Sequence, residues 1–214
     1  MMQYYPIHVN LQHKQVAIIG GGKVAQRKIN SLLQTNADIL VVSPEVTETI
    51  KQWSEERKLE WRKKNFSPSD LDRATLVFAV TNDSKLNDFI KKIAKEHQWV
   101  NVSSNGSESQ FHVPAVIVEG PLCITVSTSG ISPSISKKIG QNIKNHLDEE
   151  IVEDLYFLKR WRETIQETIA NDDKRHALLR YFASESLLKH PNREGEAHKA
   201  FCQVLKDGTC DGTI

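Results

Sequence analysis

Residues 15–25, QVAIIGGGKVA, leave this chain few folds to choose from. A strand-forming run, Gln15 to Ile19, leads straight into three consecutive glycines. After them Ala25, Ile29, Leu32 and Leu33 recur at helical spacing. The pattern predicts a buried strand, a tight turn and an amphipathic helix. The turn itself reads Gly20-Gly21-Gly22-Lys23-Val24-Ala25, a G-x-G-x-x-A form of the dinucleotide fingerprint. Gly20 permits the sharp exit from the strand. Gly22 lets backbone approach a pyrophosphate, and Ala25 keeps the helix close to the sheet. A diphosphate would then rest on the free N–H groups and positive dipole end of that helix. A ligand-free strand–helix turn can use the same residues, so the surrounding sequence has to decide.

A second strand, Ile39 to Val42, follows the helix, and Glu45 lies about 20 positions beyond Ala25, where a ribose-binding carboxylate is expected. Glu45 is equally suited to the acidic first turn of a helix. Ser43-Pro44-Glu45 offers no Arg or Lys for a 2′-phosphate, which favours NAD over NADP. Further strands are expected at 59–62, 75–80 and 99–102, with helices over 45–58 and 84–97, the latter carrying Leu86, Phe89, Ile90 and Ile93 on one face. This alternation predicts an α/β fold with a Rossmann-like, mostly parallel sheet. The turns at Gly20–Gly22, Ser43–Glu45, Thr81–Asp83 and Ser103–Asn105 then converge beyond the carboxyl ends of the strands. The opening segment, residues 5–10, reads as extended chain lying against the sheet.

The character changes after Pro114. Residues 115–118 and 122–126 form a hairpin around Glu119-Gly120-Pro121, with Leu122, Ile124 and Val126 on one face. A Ser- and Thr-rich loop follows, then a helix with Ser132 as N-cap and Pro133 in its first position. Ile135, Ile139, Ile143, Leu147, Ile151 and Leu155 recur every four residues. Each such step drifts by about 40°, so one straight helix cannot align them all, and a break is expected near Asp148-Glu149-Glu150. A hairpin and one helix cannot enclose a core, which predicts pairing with a second subunit. Residues 151–206 read as helical, with apolar clusters at Leu155, Leu158 and Trp161, at Leu178, Leu179 and Phe182, and at Phe201, Val204 and Leu205. The tail 207–214 reads as disordered. Three regions result: a nucleotide-binding domain over 1–113, a dimerisation region over 114–150, and a helical region over 151–214.

Net charge is +1, which gives no field suited to nucleic acid. Nothing approaches the roughly 18 apolar residues of a membrane span, and the start lacks the features of a signal peptide. Cys123, Cys202 and Cys210 are odd in number and widely spaced, which fits a reducing cytoplasm rather than a disulfide framework. His190, His198, Cys202 and Cys210 could be drawn as a zinc site, but no paired C-x-x-C supports it, and no metal is expected.

Several motifs together resemble the precorrin-2 dehydrogenase family, the NAD-dependent module of sirohaem synthesis. They are Tyr5-Pro6-Ile7, GGGKVAQRK at 20–28, VTNDSKLN at 80–87, Asn101-Val102, Phe111 with Pro114, and STSGISPSISKKI at 127–139. The resemblance implies a homodimeric, cytoplasmic enzyme that oxidises precorrin-2 to sirohydrochlorin and passes a hydride to NAD. It implies NAD contacts at Gly20, Gly22, Lys23, Val24, Pro44 and Glu45, with Thr81 near the nicotinamide. Precorrin-2 is a polycarboxylate, so Ser127, Thr128, Ser129, Lys137 and Lys138 are candidates for holding it. The same residues also suit loop turns, capping and a solvated helix face. Bifunctional relatives that also insert iron carry an aspartate at the position of Ser104. A hydroxyl replaces a carboxylate poorly in proton removal or metal handling. Ser104 and His112 are therefore the catalytic candidates, with Asp83 as a substitute if the register slips. A dehydrogenase without ferrochelatase activity is expected. The alternatives are a bifunctional enzyme, a dehydrogenase for another substrate, or a non-catalytic NAD-binding regulator.

Overall fold

The computed structural model describes residues 4–103 and 109–209. The chain divides into two compact units, one formed by 1–114 with 127–133 and the other by 115–126 with 134–214.

The first unit is built on five parallel strands: β1 (Gln15–Ile19), β2 (Asp38–Val42), β3 (Glu60–Arg62), β4 (Ala74–Ala79) and β5 (Trp99–Val102). Their order is β3-β2-β1-β4-β5, so the chain reverses direction of growth between β1 and β4. Three helices alternate with them: α1 (Lys23–Leu32), α2 (Glu48–Glu55) and α3 (Ser84–Ile93). Apolar residues fill both faces of the sheet, as a parallel sheet requires. Val16 and Ile18 point into one core with Ala25, Ile29, Ile50 and Phe78. Ala17 and Ile19 point into the other with Val77, Ile90 and Val100. Each such side chain contributes roughly 1.5–3 kcal/mol on leaving water.

The helices are shorter than the spacing suggested. α2 ends at Glu55 and α3 at Ile93, and Phe89 is exposed rather than part of the apolar face of α3. Residues 5–10 form no strand and are exposed, and the chain enters the core only at Leu11. The free edge of β5 is covered by the segment after it. Val102 N donates to Ser109 Oγ at 2.9 Å, Val100 N to Gln110 Oε1 at 2.8 Å, and Asn101 Nδ2 to the Phe111 carbonyl at 2.9 Å. Such cover keeps an edge strand from recruiting another chain.

The second unit begins with an antiparallel hairpin, β6 (Ala115–Glu119) and β7 (Leu122–Val126), in register Ile117↔Ile124. Helix α4 (Pro133–Asn145) starts at the proline as the sequence predicts. It meets the hairpin through small residues. Gly140 is buried with the Ile117 Cδ1 methyl so close that a Cβ would sit 2.7 Å from it, and Lys144 pairs with Glu119 at 2.5 Å. Consequently Ile135, Ile139 and Ile143 face outward and remain exposed, as do Val116 and Val118 on the outer side of the hairpin. The expected break falls between Asn145 and Ile151.

Helices α5 (Ile151–Thr168), α6 (Asp172–Phe182), α7 (Glu185–Leu188) and α8 (Arg193–Thr209) form a third core. Phe157, Ile165, Leu178, Phe182 and Phe201 are among its buried members, while Leu155, Leu158 and Trp161 are only partly buried. Arg193 pairs with Asp154 and lies over the Phe157 ring at 5.1 Å, tying α8 to α5. Helix α8 continues to Thr209, so residues 207–209 are helical where a disordered tail was expected. His198 Nε2 lies 3.6 Å from Cys202 Sγ on α8, and Cys210 is outside the described residues. Among the described residues no helix is long and apolar enough to cross a membrane.

Candidate functional site

The carboxyl edge of the parallel sheet carries the predicted turns, and hydrogen bonds stitch each to the next. Gly20 N donates to the Val42 carbonyl at 3.0 Å, and Thr47 N to that of Gly21 at 3.0 Å. Val80 N reaches the Ile19 carbonyl at 2.9 Å and Ser103 N that of Ala79 at 3.1 Å. The turns after β1, β2 and β4 therefore form one continuous rim at the point where strand order reverses. That is where open α/β sheets bind their ligands.

The three glycines have separate reasons to be glycine. Gly20 has φ +121°, and a Cβ there would lie 2.6 Å from the Val80 carbonyl oxygen. It therefore serves both the turn and the close approach of β4. Gly21 is the position that the fingerprint leaves open. A Cβ there would penetrate the Glu45 carbonyl oxygen and the Val46 side chain. Gly22 is different: its missing Cβ would meet nothing within 4 Å. Among the described residues nothing requires glycine at 22, and the space before it opens on the start of α1.

That start has no side-chain cap. Gly22 is the N-cap residue, and the first helical bond runs from Gln26 N to the Gly22 carbonyl at 3.0 Å. Helices α2, α3, α6 and α7 instead use Thr47, Asp83, Asn171 and Ser184 as side-chain acceptors. An uncapped N-terminus with open space in front of it fits the diphosphate of NAD, whose oxygens would accept from those N–H groups. Lys23 and Val24 are exposed on this first turn, and Ala25 is buried against the sheet.

Pro44 and Glu45 are exposed one strand away, at the end of β2. Ser43 fixes their turn: its Oγ donates to the Glu45 carbonyl at 2.6 Å, and its own carbonyl accepts Trp61 Nε1 at 3.0 Å. Two basic residues of β3 and its exit, Arg62 and Lys64, are engaged elsewhere. Arg62 Nη1 and Lys64 Nζ bind the buried Asp70 carboxylate at 3.2 and 2.8 Å. Burial alone would push Asp70 up, but hydrogen bonds from Lys64, Ser67 and Arg62 outweigh it and hold the carboxyl below its usual value. The third basic residue of this exit, Lys63, is exposed and lies over the Trp61 ring at 6.0 Å.

Thr81 follows β4, and its polar groups turn inward. Its N–H and hydroxyl reach Asn87 Oδ1 at 3.1 and 2.8 Å, and its carbonyl accepts Asn87 Nδ2 at 3.1 Å. Asp83 caps α3 through Lys85 N and Leu86 N. Asn87 was not singled out by sequence reasoning. Its signal was a polar residue between Leu86 and Ile90 on the buried side of α3.

His112 packs edge-on against Tyr4, with ring centroids 4.3 Å apart, and faces Gly130. Its Nε2 is buried without a hydrogen-bond partner among the described residues. In the loop beside it, the Thr128 hydroxyl donates to the Ser132 carbonyl at 3.1 Å and accepts from Ser132 N at 3.0 Å. Ser127 Oγ accepts from Ser129 N at 3.1 Å, and Ser129 takes a left-handed φ of +53°. Lys137 and Lys138 are exposed on α4 in the second unit. Ser104 lies outside the described residues.

A family model described as putative NAD(P)-binding matches residues 7–115. The precorrin-2 dehydrogenase of Bacillus subtilis (strain 168) is 33% identical over 157 residues, which is 73% of this chain and 97% of that protein. That of Priestia megaterium is 31% identical over 175 residues, covering 82% and 87%. The sirohaem synthase of Zymomonas mobilis is 30% identical over the whole chain, which spans only 46% of that longer protein. A solved structure described as SirC, precorrin-2 dehydrogenase, superposes with a TM-score of 0.77 at 28% identity, over 95% of this chain and all of that one. With an uncapped glycine turn at the switch point and this identity across nearly the full length of a curated relative, the chain belongs to the precorrin-2 dehydrogenase family.

Proposed function

We propose that this protein oxidises precorrin-2 to sirohydrochlorin in sirohaem biosynthesis, with NAD as the hydride acceptor. The observation that carries the reading is the rim at the carboxyl edge: an uncapped α1 start, open space at Gly22, and turns from β2 and β4 on either side. Bound NAD would supply the acceptor carbon for the hydride. The chain supplies the positioning. Backbone N–H groups at Gly22, Lys23 and Val24 hold the diphosphate, Gly20 shapes the turn that leads to them with its own N–H bonded to the Val42 carbonyl, Pro44 and Glu45 flank the ribose, and the Thr81 turn borders the nicotinamide. Such orientation lowers a hydride-transfer barrier without any group attacking the substrate.

The substrate must also lose a proton. His112 is the candidate to take it, because its buried Nε2 lacks a partner among the described residues and would gain one with the substrate present. Ser127, Ser129, Lys137 and Lys138 are proposed donors to substrate carboxylates, whereas the Thr128 hydroxyl already closes its own loop. With Ser104 neutral where bifunctional relatives have a carboxylate, we read the protein as a dehydrogenase without ferrochelatase activity. We place it in the cytoplasm as a homodimer. Residues 114–150 would form the dimer contact, between an NAD-binding region at 1–113 and a helical region at 151–214. The exposed stripe Ile135, Ile139 and Ile143 supports that assembly.

Anaerobic incubation with NAD and precorrin-2, followed by absorbance, tests the reaction: NADH and the sirohydrochlorin spectrum should appear together. Gly22→Asp puts bulk and negative charge where the diphosphate sits and should weaken NAD binding by more than about tenfold in calorimetry. An unchanged affinity in the folded variant rejects the site. NAD binding by the wild type without turnover rejects the enzyme in favour of a regulator.

A further inference from the structure

We propose that Asn87 is a positioning residue for hydride transfer, locking the Thr81 turn into the shape that receives the nicotinamide end of NAD. The proposal rests on the NAD-dependent reading above.

Asn87 is fully buried on α3, and burial of a neutral amide is tolerable only when its groups are paired. Here they are paired with one residue. Oδ1 accepts from Thr81 N at 3.1 Å and from the Thr81 hydroxyl at 2.8 Å, while Nδ2 donates to the Thr81 carbonyl at 3.1 Å. The backbone dictates this amide orientation, since an N–H needs an acceptor and a carbonyl needs a donor. The bonds reach over six positions, from the first buried turn of α3 back to the exit of β4. They satisfy a backbone stretch that has left the sheet ladder.

The location gives the clamp its meaning. Val80 and Thr81 form the wall against which Gly20 packs, 2.6 Å from the place its Cβ would take. Thr81 lies at the strand-order reversal, next to the diphosphate cradle and on its β4 side. Its hydroxyl also accepts from Asp83 N at 3.2 Å. Its N–H and carbonyl are committed to Asn87, and its hydroxyl lies between two acceptors, Asn87 Oδ1 at 2.8 Å and the Asp83 carbonyl at 3.0 Å, so Thr81 presents a fixed surface rather than a free hydrogen-bonding group. A nicotinamide ring held against a rigid wall keeps its reactive face toward the substrate. A loosened wall would leave the ring bound but misaligned, and a misplacement of about 1 Å can lower turnover by on the order of a hundredfold.

Asn87→Asp keeps the volume and the acceptor but sets a second acceptor against the Thr81 carbonyl. Only a protonated carboxyl could replace the lost donor, so its deficit should shrink as pH falls. Asn87→Ser is the second variant, should the first not fold. Wild type and variants are compared by kcat and KM for NAD in the anaerobic precorrin-2 assay, and by calorimetry with NAD and with ADP-ribose, which lacks the nicotinamide. The expected result is a fall in kcat of about ten- to a hundredfold, ADP-ribose affinity within about twofold of wild type, and partial recovery of Asn87→Asp at lower pH. A folded variant with wild-type kcat overturns the inference. So does equal weakening toward NAD and ADP-ribose, or failure of both variants to fold, because each makes Asn87 merely structural. Failure of the wild type itself to turn over precorrin-2 removes the functional reading instead, and the inference with it.

Discussion

The parallel sheet and the hairpin–helix element draw on the same residues, valine and isoleucine, and end in opposite states. Val16, Ile18 and Val41 have no exposed surface, whereas Val116 and Val118 are 51% exposed and Ile135 is 52% exposed. The sheet has helices on both faces, so its apolar residues are enclosed within one chain. The hairpin has α4 on one face only, and α4 turns Ser136, Gly140 and Lys144 toward it rather than its isoleucines. Identical side chains thus complete a core in one region and leave an adhesive surface in the other. An exposed stripe on a structured element marks an association site more often than a packing defect.

If the sheet is the closed region, it should tolerate no added atoms at its tightest turn. Gly21→Ala is the strongest test, because the new methyl must displace the backbone of Glu45 and Val46. Overpacking against backbone costs about 3 kcal/mol or more. That corresponds to roughly a 10 °C fall in melting temperature for a chain of this size. A melting temperature within a degree or so of wild type would mean that the rim is loose and the comparison is wrong. At Gly22 the same substitution adds a methyl to open space, so NAD binding should suffer while stability changes little.

If the hairpin–helix is the open region, a charge should be harmless to the single chain and ruinous to assembly. Ile139 is 41% exposed, so Ile139→Glu removes little burial within the chain. Its stability as a monomer should stay within about 0.5 kcal/mol. Light scattering should register a dimer for wild type and a monomer for the variant. A wild type that is monomeric at micromolar concentration breaks the argument, since the isoleucines would then have no partner.

The closed region was the more legible in sequence, for a physical reason. A strand buried on both faces needs a continuous apolar run, and β1, β2 and β4 have one. Gly20 and Gly22 were readable from the fingerprint, but Gly21 was not, because its constraint comes from the chain at Glu45 and Val46. Asn87 was missed for the same reason: its role is defined by a bond back to Thr81, not by any periodicity. In the open region the i+4 spacing of Ile135, Ile139 and Ile143 was plain, yet it does not reveal that α4 would meet its own hairpin through Gly140. Phe89 failed in the other direction. It continues the apolar spacing of α3 but is 46% exposed. Disorder over 207–214 is expected from its place at the terminus, but α8 continues through 207–209.

The smallest expected effect concerns a charge that the closed region encloses. Lys28 on α1 lies with Nζ 4.7 Å from the centre of the Phe78 ring. Burial, with repulsion from Arg27, lowers its ammonium from 10.5 to about 8. Between those two values the unfolded chain binds more protons than the folded one, so folding stability should rise with pH across that window. Below about 8 both states are protonated and the burial penalty is fully present. Lys28→Met removes the ionisable group while keeping most of the apolar stem. It should therefore stabilise the protein near pH 7, by on the order of 1 kcal/mol once the lost cation–π contact is set against the gain. Toward pH 10 the advantage should disappear, because the wild-type amine is then neutral. Denaturant titrations at the two pH values measure the difference directly. A constant difference would mean that water reaches Nζ freely, and that the sheet unit is more open at α1 than its apolar core.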